Sequence, residues 1–142
     1  MRIGNSNIVV DTYAWIEYFR GTAKGEAVKG YLLSARGVYT PSIVLAEIAR
    51  KYLREGFSRD AVSEKLKVIA NISTIIPIDA ELALEVREAY LELLEHSRKQ
   101  KLKQKPSLND AIVLATARRM RAKVVTGDQH FKNLRETLWV GD

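Results

Sequence analysis

Apolar positions along the chain follow two alternating periods. Short β-branched runs at Ile8-Val9-Val10, Val38-Tyr39-Thr40, Ile72 to Ile78 and Val124-Val125-Thr126 read as strands, and Leu138 to Val140 as a short fifth. The stretches between them carry helical spacing. Thr12 to Arg20 is an aromatic-rich helix ended by Gly21, and Glu26 to Arg36 lines up Val28, Tyr31, Leu32 and Ala35 before Gly37 breaks it. Thr40-Pro41 reads as a cap with proline in the first turn, opening a helix to about Arg54. After Gly56, Ser58 to Asn71 turns Val62, Leu66 and Ile69 one way, Asp79 to about His96 is long and leucine-rich, and Ser107 to Arg121 is the last helix. There is no internal repeat. Strands alternating with helices predict βαβ crossovers, and so an α/β fold with a mostly parallel sheet of four to five strands, as one domain over residues 1–142. Ligands of such sheets bind outside the carboxyl ends of the strands, near a switch in strand order.

Composition narrows the classes. Hydrophobic residues make up 46% of the 142 and charged residues 28%, enough for a core that needs no staples. With no cysteine, disulfides, thiolate metal sites and cysteine nucleophiles are excluded. Met1 to Asn7 lacks the pattern of a signal peptide, and no apolar run is long enough to span a bilayer, so a cytoplasmic location is expected. An excess of 23 Lys plus Arg over 17 Asp plus Glu gives a net charge of +6, which favours a polyanionic partner such as RNA.

Against that basic background, four acids stand out by position. Asp11 follows the first strand and Asp128 the fourth, where each could also serve as a cap or turn residue. Asp110 lies three residues after Ser107, the spacing of a capping box. Glu47 sits within Ile43-Val44-Leu45-Ala46-Glu47-Ile48-Ala49, read as a helix apolar all round, where an unpaired carboxylate is costly. Arg50 and Lys51 are poorly placed to share its face, so a partner from elsewhere or a cation is expected. All four can meet at the carboxyl edge of the sheet. Carboxylates ~4 Å apart repel by about 1 kcal/mol per pair in water and ~4 at an effective dielectric of 20, which a divalent cation would relieve. Oxygen ligands without cysteine favour Mg²⁺ or Mn²⁺ over zinc.

The motifs Val9-Val10-Asp11-Thr12-Tyr13-Ala14-Trp15-Ile16, Leu45-Ala46-Glu47, Asn109-Asp110-Ala111-Ile112-Val113-Leu114-Ala115-Thr116-Ala117 and Val125-Thr126-Gly127-Asp128-Gln129-His130-Phe131, in this order, resemble those of the PIN-domain family. Within it the chain is similar to the single-domain VapC-type toxins of toxin–antitoxin pairs. The resemblance implies a three-layer α/β/α sandwich and a Mg²⁺- or Mn²⁺-dependent endoribonuclease. Asp11, Glu47, Asp110 and Asp128 would then be the metal-binding, catalytic carboxylates, with Thr126 a supporting hydroxyl and Asn109 a neighbour behind them. It implies hydrolysis by metal-activated water, leaving 5′-phosphate and 3′-hydroxyl ends. It also suggests a homodimer and a VapB-type antitoxin partner. One position departs from the pattern: His130 stands where many relatives have an acid, which puts a second tightly held metal in doubt. A ligand or proton-carrier role for His130 stays open, but as a lone surface histidine beside a loop it is expected to be neither.

Two further stretches bear on RNA. Ser97 to Pro106 contains Arg98, Lys99, Lys101, Lys103 and Lys105, and reads either as a backbone-holding segment or as a solvated connector. Trp15, Tyr18 and Phe19 read as core or dimer surface, with base stacking as the lesser reading. A non-catalytic RNA- or partner-binding domain of the same fold is the alternative function. A phosphatase or phosphoacceptor is disfavoured, because Thr12 and Tyr13 follow Asp11 and no Gly-rich phosphate loop follows any strand.

Overall fold

The structure is a computed structural model and is described over residues 6–142. Its elements run β1 (Asn7–Val10), α1 (Thr12–Arg20), α2 (Ala23–Ser34), β2 (Gly37–Pro41), α3 (Ser42–Arg54), α4 (Arg59–Ile72), β3 (Thr74–Ile76), α5 (Ala80–Lys99), α6 (Leu108–Arg119), β4 (Ala122–Thr126), a 3₁₀ turn (Gln129–Phe131) and β5 (Thr137–Trp139). The five strands form one sheet in the order β3-β2-β1-β4-β5, and every pairing is parallel. Ile8, Val9 and Val10 are consecutive and all buried, so both faces of the sheet are covered, as crossover helices require. The α/β class and the parallel sheet are as expected. The expectation about a signal peptide rests largely on residues 1–5, which lie outside the described residues. No helix among the described residues is long and apolar enough to cross a membrane.

Strand order places the site. From β1 the chain moves to β2 on one side, yet β1 pairs on its other side with β4, matching Val10 to Val125. The switch in direction therefore lies where β1 and β4 end. There the Asp11 amide donates to the Val125 carbonyl, carrying the ladder one residue past the strand.

The reading at Thr40-Pro41 is corrected. Thr40 does not cap α3; β2 runs through Pro41, and α3 starts at Ser42 with no side-chain cap. Thr40 is fully buried, accepts from the Trp15 indole N–H at 3.1 Å and meets Ser73 Oγ at 2.7 Å. Ser73 in turn donates to the Ile69 carbonyl, so a buried polar relay ties α1 to β2 and α4. An indole N–H taken out of water must find an acceptor, and this hydroxyl is it. With Trp15 fully buried and stacked on Phe19, the core reading holds for that side chain and base stacking by it is ruled out.

Candidate metal centre

Asp11 is the N-cap of α1. Its Oδ1 accepts from the Ala14 amide at 3.1 Å, and Oδ2 accepts from the Thr126 hydroxyl at 2.5 Å. Thr126 is fully buried at the end of β4, and its oxygen also accepts from the Asp128 amide at 3.0 Å. One hydroxyl thus orients two acids from opposite ends of the sequence. Burial pushes the Asp11 carboxyl up to about 7, with repulsion from Asp128 and Asp110 adding to it against the bonds from Thr126 and Ala14.

Asp110 closes a reciprocal capping box: its amide donates to Ser107 Oγ at 3.0 Å, and its Oδ2 accepts from the Ser107 amide at 2.9 Å. The capping and metal-binding readings of Asp110 are therefore compatible. Burial, then the Asp128 charge, raises its carboxyl above the usual range. Asp128 caps the 3₁₀ turn by accepting from the His130 amide at 2.8 Å. Asp110, Asp128 and His130 each offer a ligand atom within 4.8 Å of the others.

His130 corrects the sequence reading. It is buried, at 7% exposure, because the next residue, Phe131, is drawn into the core at 1%. Its Nδ1 lies 3.1 Å from Asp128 Oδ1 and 3.7 Å from Asp110 Oδ2, and its Nε2 lies 3.0 Å from the Gln104 carbonyl. Burial works against its positive charge, but the Gln104 carbonyl and the charges of Asp128 and Asp110 outweigh that and raise it overall.

Glu47 departs from the premise on which the sequence singled it out. Helix α3 is apolar on one face only: Val44, Ile48 and Tyr52 are buried, while Ala46 and Arg50 are exposed and Glu47 is half-buried. Its Oε1 accepts from the Thr12 hydroxyl at 2.9 Å, so it is partnered from α1, and Lys51 pairs with Glu55 instead. Glu47 stands outside the Asp110–Asp128–His130 group, yet it shares with Asp128, Thr12 and Tyr13 the wall of a cleft of about 370 Å³. Arg20 and Lys51 line the same cleft, two cations that no sequence motif marks. Asn109 is half-buried and makes no side-chain hydrogen bond to these acids among the described residues.

The basic stretch is also revised. Ser97, Arg98 and Lys99 belong to the last turn of α5, and only residues beyond Lys99 form the connector. Lys101, Lys103 and Lys105 are exposed, but the connector is no free strand of chain, since Pro106 is buried and Gln104 meets His130.

The family model of the PIN domain matches residues 8–136. The chain belongs to the PIN-domain family. Comparison of the sequence with curated proteins gives no match. Solved structures with the same fold include a toxin–antitoxin complex from Klebsiella pneumoniae, at TM-score 0.70 and 19% identity over 95% of this chain and 98% of that one. VapBC2 from Rickettsia felis, bound to a DNA fragment from its promoter, aligns at TM-score 0.64 and 18% identity over 94% and 96%. Mycobacterium tuberculosis VapC20, a Sarcin-Ricin loop cleaving toxin, aligns at 0.63 and 22% over 87% and 92%. In this PIN domain Asp11 and Asp128 follow the ends of β1 and β4, Asp110 lies in the first turn of α6, and Glu47 lies within α3.

Proposed function

We propose that this PIN domain is a metal-dependent endoribonuclease of the VapC type, the cytoplasmic toxin of a toxin–antitoxin pair. The observation that carries the reading is the convergence of Asp110, Asp128 and His130 within 4.8 Å, beside a buried Asp11 that Asp110 and Asp128 both repel. Three acids are gathered here, and among the described residues the cationic group recorded against them is the His130 ring. The donor set, carboxylate oxygens with no thiolate, fits Mg²⁺ or Mn²⁺. Asp11, Asp110 and Asp128 would hold the ion, with Glu47 facing it from across the cleft.

A divalent ion bound here would supply charge to neutralise a phosphate oxygen and acidify a water for in-line attack. The chain's own residues do the positioning. Thr126 fixes Asp11 and Asp128 relative to each other, the Ser107 box fixes Asp110, and Thr12 fixes Glu47. Preorganised groups of this kind lower the barrier because they need not rearrange during reaction. RNA enters along the cleft, where Arg20 and Lys51 meet its phosphates, and Lys101, Lys103 and Lys105 extend the basic surface. A VapB-type antitoxin is part of the same reading, supported by the toxin–antitoxin complexes among proteins of this fold, and a homodimer is proposed with it.

The test is cleavage of a labelled mixed-sequence RNA in EDTA, Mg²⁺ and Mn²⁺, beside Asp11→Asn. Metal-dependent cutting that the variant loses by at least about a hundredfold, ~2.7 kcal/mol of transition-state stabilisation, is expected. Salt-sensitive RNA binding with no cutting in any metal would favour the non-catalytic binding domain.

A further inference from the structure

Resting on the metal-centre reading above, we infer that His130 is itself a metal ligand, through Nδ1, and that it turns the site's preference from Mg²⁺ toward first-row transition ions, for which Mn²⁺ is the probe. Two observations point there independently. Asp110, Asp128 and His130 present two carboxylate oxygens and one ring nitrogen within 4.8 Å. On the far side of the ring, Nε2 lies 3.0 Å from the Gln104 carbonyl, an atom that can only accept. Nε2 must therefore carry the hydrogen.

In the neutral imidazole that assignment leaves the Nδ1 lone pair directed at Asp128 Oδ1, 3.1 Å away, with Asp110 Oδ2 at 3.7 Å. Three electron-rich atoms facing one another are relieved either by a second ring proton on Nδ1, shared with Asp128, or by a metal ion that displaces that proton. A backbone carbonyl taking the second ring N–H is the arrangement that holds metal-ligating histidines in tautomer and orientation. The ring cannot swing away, because it is buried at 7% exposure and Phe131 anchors the turn at 1%. Asp128 also accepts from the His130 amide, so ligand and carboxylate move as one unit.

A nitrogen donor changes what the site prefers. Mg²⁺ seeks oxygen ligands in near-ideal octahedral geometry and sheds water reluctantly, whereas affinity for a nitrogen donor rises along the first transition row from Mn²⁺, the ion of that row most like Mg²⁺. The second histidine, His96, lies against the Lys132 carbonyl at the end of α5 and outside the Asp110–Asp128–His130 group. It serves as an internal control.

The experiment titrates metal-free protein with MnCl₂ and with MgCl₂ by calorimetry, and records pulsed electron paramagnetic resonance of the Mn²⁺-loaded protein. Wild type, His130→Asp, His130→Gln and Asp128→Asn are compared, with thermal melts confirming that each folds. The expected result is a directly coordinated imidazole nitrogen in the wild-type spectrum, absent from both His130 variants although they still bind Mn²⁺. The ratio of Mn²⁺ to Mg²⁺ affinity should fall at least about tenfold in His130→Asp. Mn²⁺ bound at the Asp128-dependent site with no nitrogen coupling, or an unchanged ratio in His130→Asp, overturns the assignment of His130 and leaves the carboxylate centre standing. Failure of wild type to take up either ion overturns both.

Discussion

Asp11 is buried with its carboxyl pushed up to about 7, first by loss of solvation and then by its acidic neighbours, from an ordinary value of 3.8. Between those values the folded chain keeps a proton that the unfolded chain has released. The favourable contribution of the protonated group is therefore full below about pH 4, is lost as pH rises through about 7, and changes no further above it. Asp110 and His130 are shifted upward too, and act in the same sense. A shift of about three units corresponds to roughly 4 kcal/mol for one fully buried group, an upper figure for Asp11. Urea denaturation in EDTA should show stability falling from pH 5 to pH 8, and Asp11→Asn should flatten that slope. At pH 8 the variant should be more stable than wild type by about 1–3 kcal/mol, the reverse of its effect on catalysis. An unflattened slope would remove Asp11 as the source. Thr126→Val takes away the donor to Asp11 and the acceptor for the Asp128 amide, and should cost about 1–3 kcal/mol at pH 8, while Thr126→Ser keeps most of it. At this scale the sequence was readable where position along a strand decides the matter: Asp11 and Asp128 follow apolar runs that end at one edge. Glu47 was reached by a wrong premise, since one-dimensional spacing hid the exposed face on which Ala46 and Arg50 lie. His130 was singled out but read as a surface residue, because its place depends on the connector 26 residues earlier, which no local motif encodes.

Between elements, two close approaches hold the site's scaffold together. A Cβ on Gly127 would stand 2.2 Å from the Tyr13 ring, so the turn carrying Asp128 lies flat on the first turn of α1. Gly127→Ala should cost about 1–3 kcal/mol by overpacking, and Tyr13→Ala in the same chain should recover much of it. Additive losses in that double-mutant cycle would mean that the two do not touch in solution. A Cβ on Gly25 would meet the Glu17 carbonyl at 2.1 Å, which is backbone and cannot give way, so the α1–α2 crossing needs glycine there. The order and type of the strands and α-helices were legible, because strand and helix periods differ and Gly21, Gly37 and Gly56 punctuate them, whereas the 3₁₀ turn after β4 was not. Boundaries slipped where tertiary contacts override local preference. Thr40 has the chemistry of a cap, but the buried indole of Trp15 claims its hydroxyl first.

At the scale of the molecule, the motif acids gather where β1 and β4 end, with cationic residues in and beyond the adjoining cleft. If Lys101, Lys103 and Lys105 hold RNA, neutralising all three should flatten the log–log salt dependence of binding by ~0.7 for each single-strand phosphate that they no longer pair with. An unaltered slope would return them to the solvent. The strand order has a consequence in time. β1 is the centre of the sheet, yet its partner on one side, β4, is made more than a hundred residues after it. Pairings so distant along the chain form late, since the intervening segment must be gathered before they reward it. Asp11 emerges early from the ribosome but receives Thr126, Asp128 and His130 only once β4 and the turn after it have been made. A nascent chain still tethered to the machinery that makes it, and surrounded by RNA, therefore holds no assembled centre. A fragment ending at Arg121 should bind neither Mn²⁺ nor Mg²⁺ with measurable affinity, so whatever chemistry the centre performs can begin only after the last motif has been translated.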